Sequence, residues 1–594
     1  MEKMKRTTTC GALRASDEGT QVVLNGWVHR SRNHGGIQFI NMRDRYGITQ
    51  TVIGEDAPEE LKQLAEAVKM EYCIAVEGIV QLRPEGMINP DMGTGEIELA
   101  VQKMQVLSRC ATLPFMIEEE SDAKEDLRLA YRYLDLRSEG MQARMRLRHE
   151  VTYAVREFFS SRGFYEVETP TLIKSTPEGA RDFLVPSRIQ PGKFYALPQS
   201  PQLFKQICMI SGLDKYFQIA RCYRDEDARG DRQLEFTQID VEMSFVSRDD
   251  VLKITEQMFQ HIFQETMGIT LPESFPRFSY HEAMNTYGSD KPDIRFDMKL
   301  HDADEFARNS GFKAFQSVLD SGGHVKALTA KGCGGYSRKQ ISQLEDTAKI
   351  YQAKGLAWIK VTDDGFDGGV AKFFADQQAD MMSAFGAEPG DLILMVADMW
   401  ETACTSLGAV RSRLGRDLSL ADGSRFAFCW IVDFPLFAWD EDQHKWEAAH
   451  HMFSMPQQQF LDTMEEDPGS VKGDLYDLVL NGYELASGSI RIHDPEIQKR
   501  VFRIVGFSED EAEERFGFLL KAFQFGPPPH GGIAPGLDRL LMIMAGKTSI
   551  KEVIAFPKNS AGISPMDGSP SVVDSEQLKD LHLTLDLPEE DEAE

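Results

Sequence analysis

The sequence predicts an α+β protein of several domains: an N-terminal β-barrel of the OB type, an antiparallel sheet flanked by helices, and an α/β segment inserted into that sheet domain. Three observations carry this expectation. A length of 594 residues exceeds the roughly 250 to 300 residues at which one hydrophobic core stops growing. Short runs of alternating apolar and polar residues, separated by turn residues, fill the N-terminal part. Later strands return through loops and not through repeated crossover helices, which favours an antiparallel sheet.

From Gln21 to about Leu107 the runs VVLNGWVHR, IQFINMRD, GITQTVI, CIAVEGIVQLR and EIELAVQKMQVL, with a helix near LKQLAEAVKM, suit a five-stranded OB barrel. Such barrels bind single-stranded nucleic acid by stacking bases on aromatic rings beside basic groups, at about 1 to 3 kcal/mol per base. Phe39 with Arg32 and Gln50 offers that set, although alternation also allows Phe39 a position in the barrel core. The barrel domain is expected over 1–107 and a charged hinge over 108–140. The sheet domain begins in 141–296, is interrupted over 297–422 by Gly-rich strands and helices (GGHVKALTAKGCGGYSRKQ, GLAWIKV, FDGGVAKFF), and resumes over 423–594 at FAFCWIVDFPLF.

Within the sheet domain, Leu147, Val151, Val155 and Phe158 recur at helical spacing, Gly163 ends the helix, and a strand follows that closes on Pro170. The run FQIARCYRDEDARGDRQLEFTQID then alternates at Phe217 and Ile219 and again at Phe236, Ile239 and Val241, predicting two antiparallel strands joined by a charged loop. Near the C-terminus, GGIAPGLDRLL sets Gly531, Gly532 and Gly536 around Pro535 before an apolar helix, so that backbone approaches a ligand where the helix begins. Arg224 and Arg539 lie in these two runs. A guanidinium binds phosphate or carboxylate through two parallel hydrogen bonds and stacks on aromatic rings, a combination that suits ATP. Read singly, Arg224 also fits a surface ion pair with Asp225 or Glu226, and Arg539 a helix-terminal arginine without a task.

Composition narrows the classes. The 94 acidic and 65 basic residues leave a net charge of -29, against a non-specific DNA binder. Residues 1 to 50 nevertheless hold Lys3, Lys5, Arg6, Arg14, Arg30, Arg32, Arg43 and Arg45, an end suited to a phosphate backbone. No apolar run reaches the about 18 residues that span a bilayer, and MEKMKRTTTC lacks the apolar core of a signal peptide, so a cytoplasmic protein without membrane contact is expected. The cysteines show no paired spacing for zinc and no disulfide framework, and are read as reduced. The tail from Pro588, PEEDEAE, reads as a solvated end with no assigned function.

The two arginine runs resemble motifs 2 and 3 of the class II aminoacyl-tRNA synthetases, and RMRLRHEVTYAVREFFSSRGFYEVETPTLIKSTPEGARDF resembles motif 1. Within that class the chain most resembles the bacterial-type aspartyl-tRNA synthetases, over essentially its whole length, through STPEGARDF, LPQSPQLFKQ, RCYRDEDARGDRQLEFTQID, AHH, NGYELASGSIRIH and PGLDR. Met452, where the family usually has proline, and Ala486 and Ser487 before Gly488, where glycine is more common, depart from the pattern.

The resemblance implies an enzyme that joins aspartate to AMP and then to the 3′ end of tRNA. Arg224 would hold the attacking carboxylate and the α-phosphate, Glu226 the adenine amino group from the same strand face, and Phe236 with Arg539 the purine ring. Asp225, Gln233, Glu484, Gly536, Leu537 and Asp538 complete the implied ATP site. Asp477 and Glu484 would hold Mg²⁺, which takes few protein carboxylates and shares phosphate oxygens. Arg491 and Lys205 would meet the side-chain carboxylate of aspartate, Gln202, Glu178 and Asp240 its ammonium, and His450 would stand near the acid. Arg32, Phe39 and Gln50 would read the anticodon. The motif 1 segment implies a homodimer, and the bacterial type implies an insertion at 297–422.

Some members of the family charge both tRNA(Asp) and tRNA(Asn), and these often carry His-Gly-Gly after the basic run and a glycine in the following hairpin. His34, Gly35, Gly36 and Gly86 match that pattern. Alternatives are an enzyme strict for tRNA(Asp), an asparaginyl- or lysyl-tRNA synthetase, a compact amide ligase, which would lack the barrel, and a silent RNA-binding paralogue, which would have damaged phosphate arginines.

Overall fold

The structure, a computed structural model, describes residues 4–118, 122–176 and 180–587. It divides into two compact units, one of Met1–Arg144 with Ser564–Gly568, the other of Met145–Ile563 with Ser569–Glu594.

The first unit is built on β1 (Gln21–His34), β2 (Ile37–Asp44), β3 (Gly47–Ile53), β4 (Cys73–Leu82) and β5 (Ile97–Ser108), closed into a barrel in the order β1-β2-β3-β5-β4. Alternation drives closure: Val22, Leu24 and Val28 of β1 and Ile40 and Met42 of β2 point inward and are buried. Arg43 of the basic N-terminal part is not free for phosphate. It is buried against Glu71 at 2.8 and 3.0 Å, while Arg6 lies 3.5 Å from Asp44. The stretch read as a hinge contains helices Glu125–Ala130 and Arg132–Asp135. Arg137 lies 4.8 Å over the Trp27 ring and donates to Glu71 at 2.9 Å, so this part of the stretch packs on the barrel.

The second unit centres on an eight-stranded sheet. Its inner strands, in spatial order Phe428–Val432, Leu475–Leu480, Tyr483–Ile490, His530–Pro535, Glu235–Ser244 and Lys215–Tyr223, are antiparallel, and short strands Arg277–Ser279 and Tyr165–Glu166 add parallel edges. The helix Glu139–Ser160 buries Val151, Val155, Phe158 and Phe159, and Gly163, at φ +77°, turns the chain after it. The strand expected to close on Pro170 is only Tyr165–Glu166.

The inserted segment forms a separate five-stranded sheet from Leu300–Asp302, His324–Ala330, Leu392–Asp398, Ala357–Thr362 and Gly365–Asp367 in that spatial order. Although its composition suggests α/β architecture, its neighbouring strands all pair antiparallel. The helix Trp400–Asp417 leads back to the main sheet. Among the described residues no helix is long and apolar enough to cross a membrane.

Candidate active site

One face of the main sheet floors a cavity of about 760 Å³. In the strand Glu235–Ser244 the odd residues Ile239, Val241 and Met243 enter the core, so Phe236, Gln238, Asp240 and Glu242 share the opposite face. Helix Gln202–Ile210 presents Gln202 and Lys205 to the same floor, one turn apart.

The amino-acid end is a buried lattice of opposite charges. Lys205 Nζ lies 2.6 Å from Asp240 Oδ1 and 3.3 Å from Glu242 Oε2. Arg491 Nε donates to Glu242 Oε1 at 2.9 Å and its Nη2 to Oε2 at 3.2 Å, while Nη1 donates to Ser489 Oγ at 2.6 Å and faces His451 Nε2 at 2.9 Å. Burial and then the neighbouring Arg491 push His451 well below the usual histidine range, so neutral Nε2 accepts that proton. Burial would raise Glu242, but Arg491 and Lys205 outweigh it and hold the carboxyl below its usual range. Asp240 goes the other way: burial raises it despite Lys205. Its Oδ2 and the Gln202 Nε2 are buried and unpartnered. These two atoms suit an ammonium and an oxygen of a ligand.

Glu242, His451 and Ser489 were not singled out in the sequence. Glu242 had a legible signal, since it stands two residues after Asp240 on a strand. Gly531 and Gly532, read as making way for a ligand, instead serve the sheet. A Cβ on Gly532 would lie 2.0 Å from Glu242 Oε2, and one on Gly531 2.5 Å from Ile490 Cδ1. Gly532 is therefore the space in which Glu242 reaches Arg491. Gly536 caps helix Leu537–Met544 at the cavity wall.

At the other end, Arg224 follows the strand that ends at Tyr223, and its guanidinium lies over the Phe236 ring at 5.1 Å with Nε unpartnered. Glu226 does not continue a strand face as expected; it lies in the connecting loop, 3.4 Å from Arg232. Asp225 turns away from this cavity, its N–H donating to the Arg181 carbonyl at 3.1 Å. Gln233 lines the cavity while gripping Lys558 at 2.9 and 3.1 Å. Arg539 donates to the Glu484 carbonyl and, at 3.2 Å, to Asp231, with Nε left free. Leu537 is core, and Asp538 is a brace: Arg148 reaches its Oδ1 at 2.6 Å and the Thr237 N–H its Oδ2 at 2.7 Å. His450 borders the cavity, edge-on to Phe434 at 4.7 Å. Glu178 lies outside the described residues.

Asp477 and Glu484 stand on a hairpin closed by Asn481-Gly482, both at positive φ. A bulge shifts the register between Leu478 and Val479, so Val479 pairs with Glu484 while Asp477 pairs with Ser487. Without that extra residue Glu484 would face away from Asp477; with it, the two acids share a face. Burial and then the Glu484 charge push the Asp477 carboxyl well up, and its Oδ1 has no partner. Two hard carboxylates held together against their repulsion fit a divalent cation such as Mg²⁺. Among the described residues no group of three or more potential metal ligands occurs.

On the barrel, Arg32 is the cross-strand partner of Phe39, and Gln50 pairs with Asn41, which puts all three on one outer face. Gln50 is held by Glu98 at 2.9 Å, and Gln81 grips the other oxygen of Glu98 at the same distance. His34 is exposed, and Gly86, at φ +86°, has open space where a side chain would begin.

The family described as tRNA synthetases class II (D, K and N) matches residues 124–560, and an OB-fold nucleic acid binding domain matches residues 22–107. A Treponema denticola protein named "Aspartate--tRNA(Asp/Asn) ligase" is 64% identical over 98% of this chain and 100% of its own. An "Aspartate--tRNA ligase" of Macrococcus caseolyticus is 50% identical over 98% of this chain and 99% of its own. In fold, the chain is similar to the asparaginyl-tRNA synthetase of Pyrococcus horikoshii with asparaginyl-adenylate (TM-score 0.60, 20% identity, covering 93% of this chain and 98% of that one). The aspartyl-tRNA synthetase of Entamoeba histolytica is a further structural neighbour (TM-score 0.58, 19% identity, 95% and 93%). With both family matches in chain order and full-length relatives at this identity, the chain belongs to the class II tRNA synthetases of the D, K and N group.

Proposed function

We propose that the protein activates L-aspartate with ATP and transfers it to the 3′ end of tRNA(Asp) and of tRNA(Asn), as a cytoplasmic homodimer using Mg²⁺. The observation that carries this reading is the charge lattice at the amino-acid end. Lys205 and Arg491 are balanced by Asp240 and Glu242, and Arg224 adds one further cation at the junction with the ATP half. A ligand with one ammonium and two carboxylates matches that balance. Asparagine would put a neutral amide where Lys205 and Arg491 donate, trading charge-assisted hydrogen bonds for neutral ones, a loss of a few kcal/mol.

The chemistry follows from the order of groups along the cavity. Asp240 Oδ2 holds the ammonium, Gln202 Nε2 donates to a ligand oxygen beside it, and Lys205 and Arg491 meet the side-chain carboxylate. Arg224 lies between the reacting carboxylate and the α-phosphate, where it offsets the repulsion of two anions and the charge that grows at phosphorus. The carboxylate oxygen forms a bond to the α-phosphorus as the bond to pyrophosphate breaks. Phe236 and Arg539 keep the adenine end, and Glu226 accepts from the adenine amino group. Asp477 and Glu484 would hold Mg²⁺, which supplies charge neutralisation to the phosphates. In the second step the ribose hydroxyl of the tRNA attacks the acyl carbon and AMP leaves, its phosphate close enough to take the proton.

Charging of tRNA(Asn) is favoured by the open space at Gly86, by the exposure of His34, and by the Asp/Asn names of relatives at 64% and 55% identity. Dimerisation is favoured by the exposed Tyr153 on the motif 1 helix, 64% accessible. The test is labelled-pyrophosphate exchange with aspartate or asparagine, followed by charging of purified tRNA(Asp) and tRNA(Asn). Exchange with aspartate alone and comparable charging of both tRNAs is expected. No exchange with aspartate would refute the activity, and charging of tRNA(Asp) alone would restrict it.

A further inference from the structure

Arg411, in the helix Trp400–Asp417 of the inserted segment, is 1% exposed and serves the backbone of a different segment. Its Nη2 donates to the carbonyls of Asp293 at 2.9 Å and Phe296 at 3.0 Å, its Nε donates to that of Met298, and the guanidinium lies 4.1 Å over the Phe296 ring. Upstream, Gly288 meets the same helix: a Cβ on Gly408 would stand 2.0 Å from the Gly288 carbonyl oxygen. The segment between these clamps touches the catalytic hairpin, since a Cβ on Gly482 would come within 3.1 Å of Asp293 Cβ. Gly482 belongs to the turn that presents Asp477 and Glu484.

Lys291 is carried between the clamps. It is exposed, lines the cavity together with Glu484 and Tyr483, lies near enough to Asp477 for its charge to act there, and among the described residues forms no ion pair within 4 Å. A lysine held by its backbone and free at its ammonium is a mobile point charge suited to a polyphosphate. Among the described residues, none of the inserted segment 297–422 itself reaches the cavity lining.

We propose that Lys291 is a further phosphate-binding residue of the nucleotide site, contacting the pyrophosphate portion of ATP, and that Arg411 of the insertion is the positioning residue that keeps it there. The inference rests on the ATP reading above and extends it by giving the insertion a part in the reaction. An insertion that only decorates the fold would not need a buried guanidinium spent on the backbone beside the active site.

The test uses the full chain with Lys291→Met, Lys291→Arg, Arg411→Lys and the double variant Lys291→Met/Arg411→Lys. Calorimetric ATP binding, which needs no amino acid, separates this inference from the proposed activity. Lys291→Met is expected to weaken ATP binding, and to raise the KM for ATP and pyrophosphate in exchange, by roughly tenfold, the scale of one charged contact. Lys291→Arg restores most of the loss, and the aspartate KM stays unchanged. Arg411→Lys, checked for folding by its melting curve, shows the same selective loss, and adds nothing in the double variant. Lys291→Met binding ATP as the wild type does would overturn the phosphate contact, whatever the outcome with aspartate. Additive losses in the double variant, or an equal loss for aspartate, would overturn the positioning role.

Discussion

Arg491 and Glu242 form a buried two-point ion pair, Nε to Oε1 at 2.9 Å and Nη2 to Oε2 at 3.2 Å. The residue expected to read the substrate's carboxylate is therefore already held by an internal one. Nη1 is spent on Ser489 and His451, which leaves the second Nη2 proton as its open donor. The pair fixes the angle of the guanidinium so that aspartate meets an oriented donor.

Glu242→Gln tests that arrangement. Removing one partner of a buried pair leaves an uncompensated charge, costing about 3 to 5 kcal/mol. The variant is expected to melt well below the wild type and to show a raised aspartate KM with ATP binding preserved. Arg491→Leu is expected to lose aspartate activation outright. An unchanged aspartate KM in either variant would move specificity elsewhere.

Asp240 predicts a pH dependence. Burial raises its carboxyl despite Lys205. A raised acid takes up its proton sooner as pH falls, and the protonated form no longer balances an ammonium. The aspartate KM is therefore expected to rise on acidification, starting above the usual aspartic acid value of about 4. Asp240→Asn removes this dependence and starts from a high KM. Steady-state exchange measured across pH decides it; a flat wild-type profile down to about pH 4 contradicts the assignment.

The strands of the barrel and of the motif 2 hairpin were legible because both have a buried and a solvated face, so alternation is written into VVLNGWV and FTQIDVEM. Arg224, Lys205, Asp240 and Arg491 were legible through motifs, and the cavity collects them. What stayed hidden depends on pairing across long stretches of chain. Glu242 meets Arg491 249 residues away, and only the opposing strand shows that Gly532 clears the space between them. The bulge that turns Glu484 toward Asp477 is a register property, invisible in either strand alone. Asp538, in a run that pointed at ATP, lines the cavity and also braces Arg148 and Thr237, partners that a single run of sequence does not reveal.

Glu484→Ala is expected to abolish adenylate formation, cutting exchange by roughly a hundredfold or more, as removal of a charge-stabilising group does at a reaction centre. Asp477 would then stand without its neighbour's repulsion, and its carboxyl would fall back toward the usual range. Raising Mg²⁺ should not restore the variant, because one carboxylate of the pair is gone. Full exchange activity in Glu484→Ala would remove the pair from the nucleotide site.

Phe39→Ala separates the two functions of the chain. The ring lies opposite Arg32 and on the face of Gln50, outside the barrel core that Ile40 and Met42 fill. One stacked base is worth about 1 to 3 kcal/mol, so the tRNA KM is expected to rise roughly fivefold to a hundredfold. Barrel stability should change little, since the ring is only partly buried. Aspartate-dependent pyrophosphate exchange uses no tRNA and stays at the wild-type level. Loss of exchange together with charging would mean that Phe39 supports the fold, and the anticodon face would have to be sought among other outward residues of the barrel.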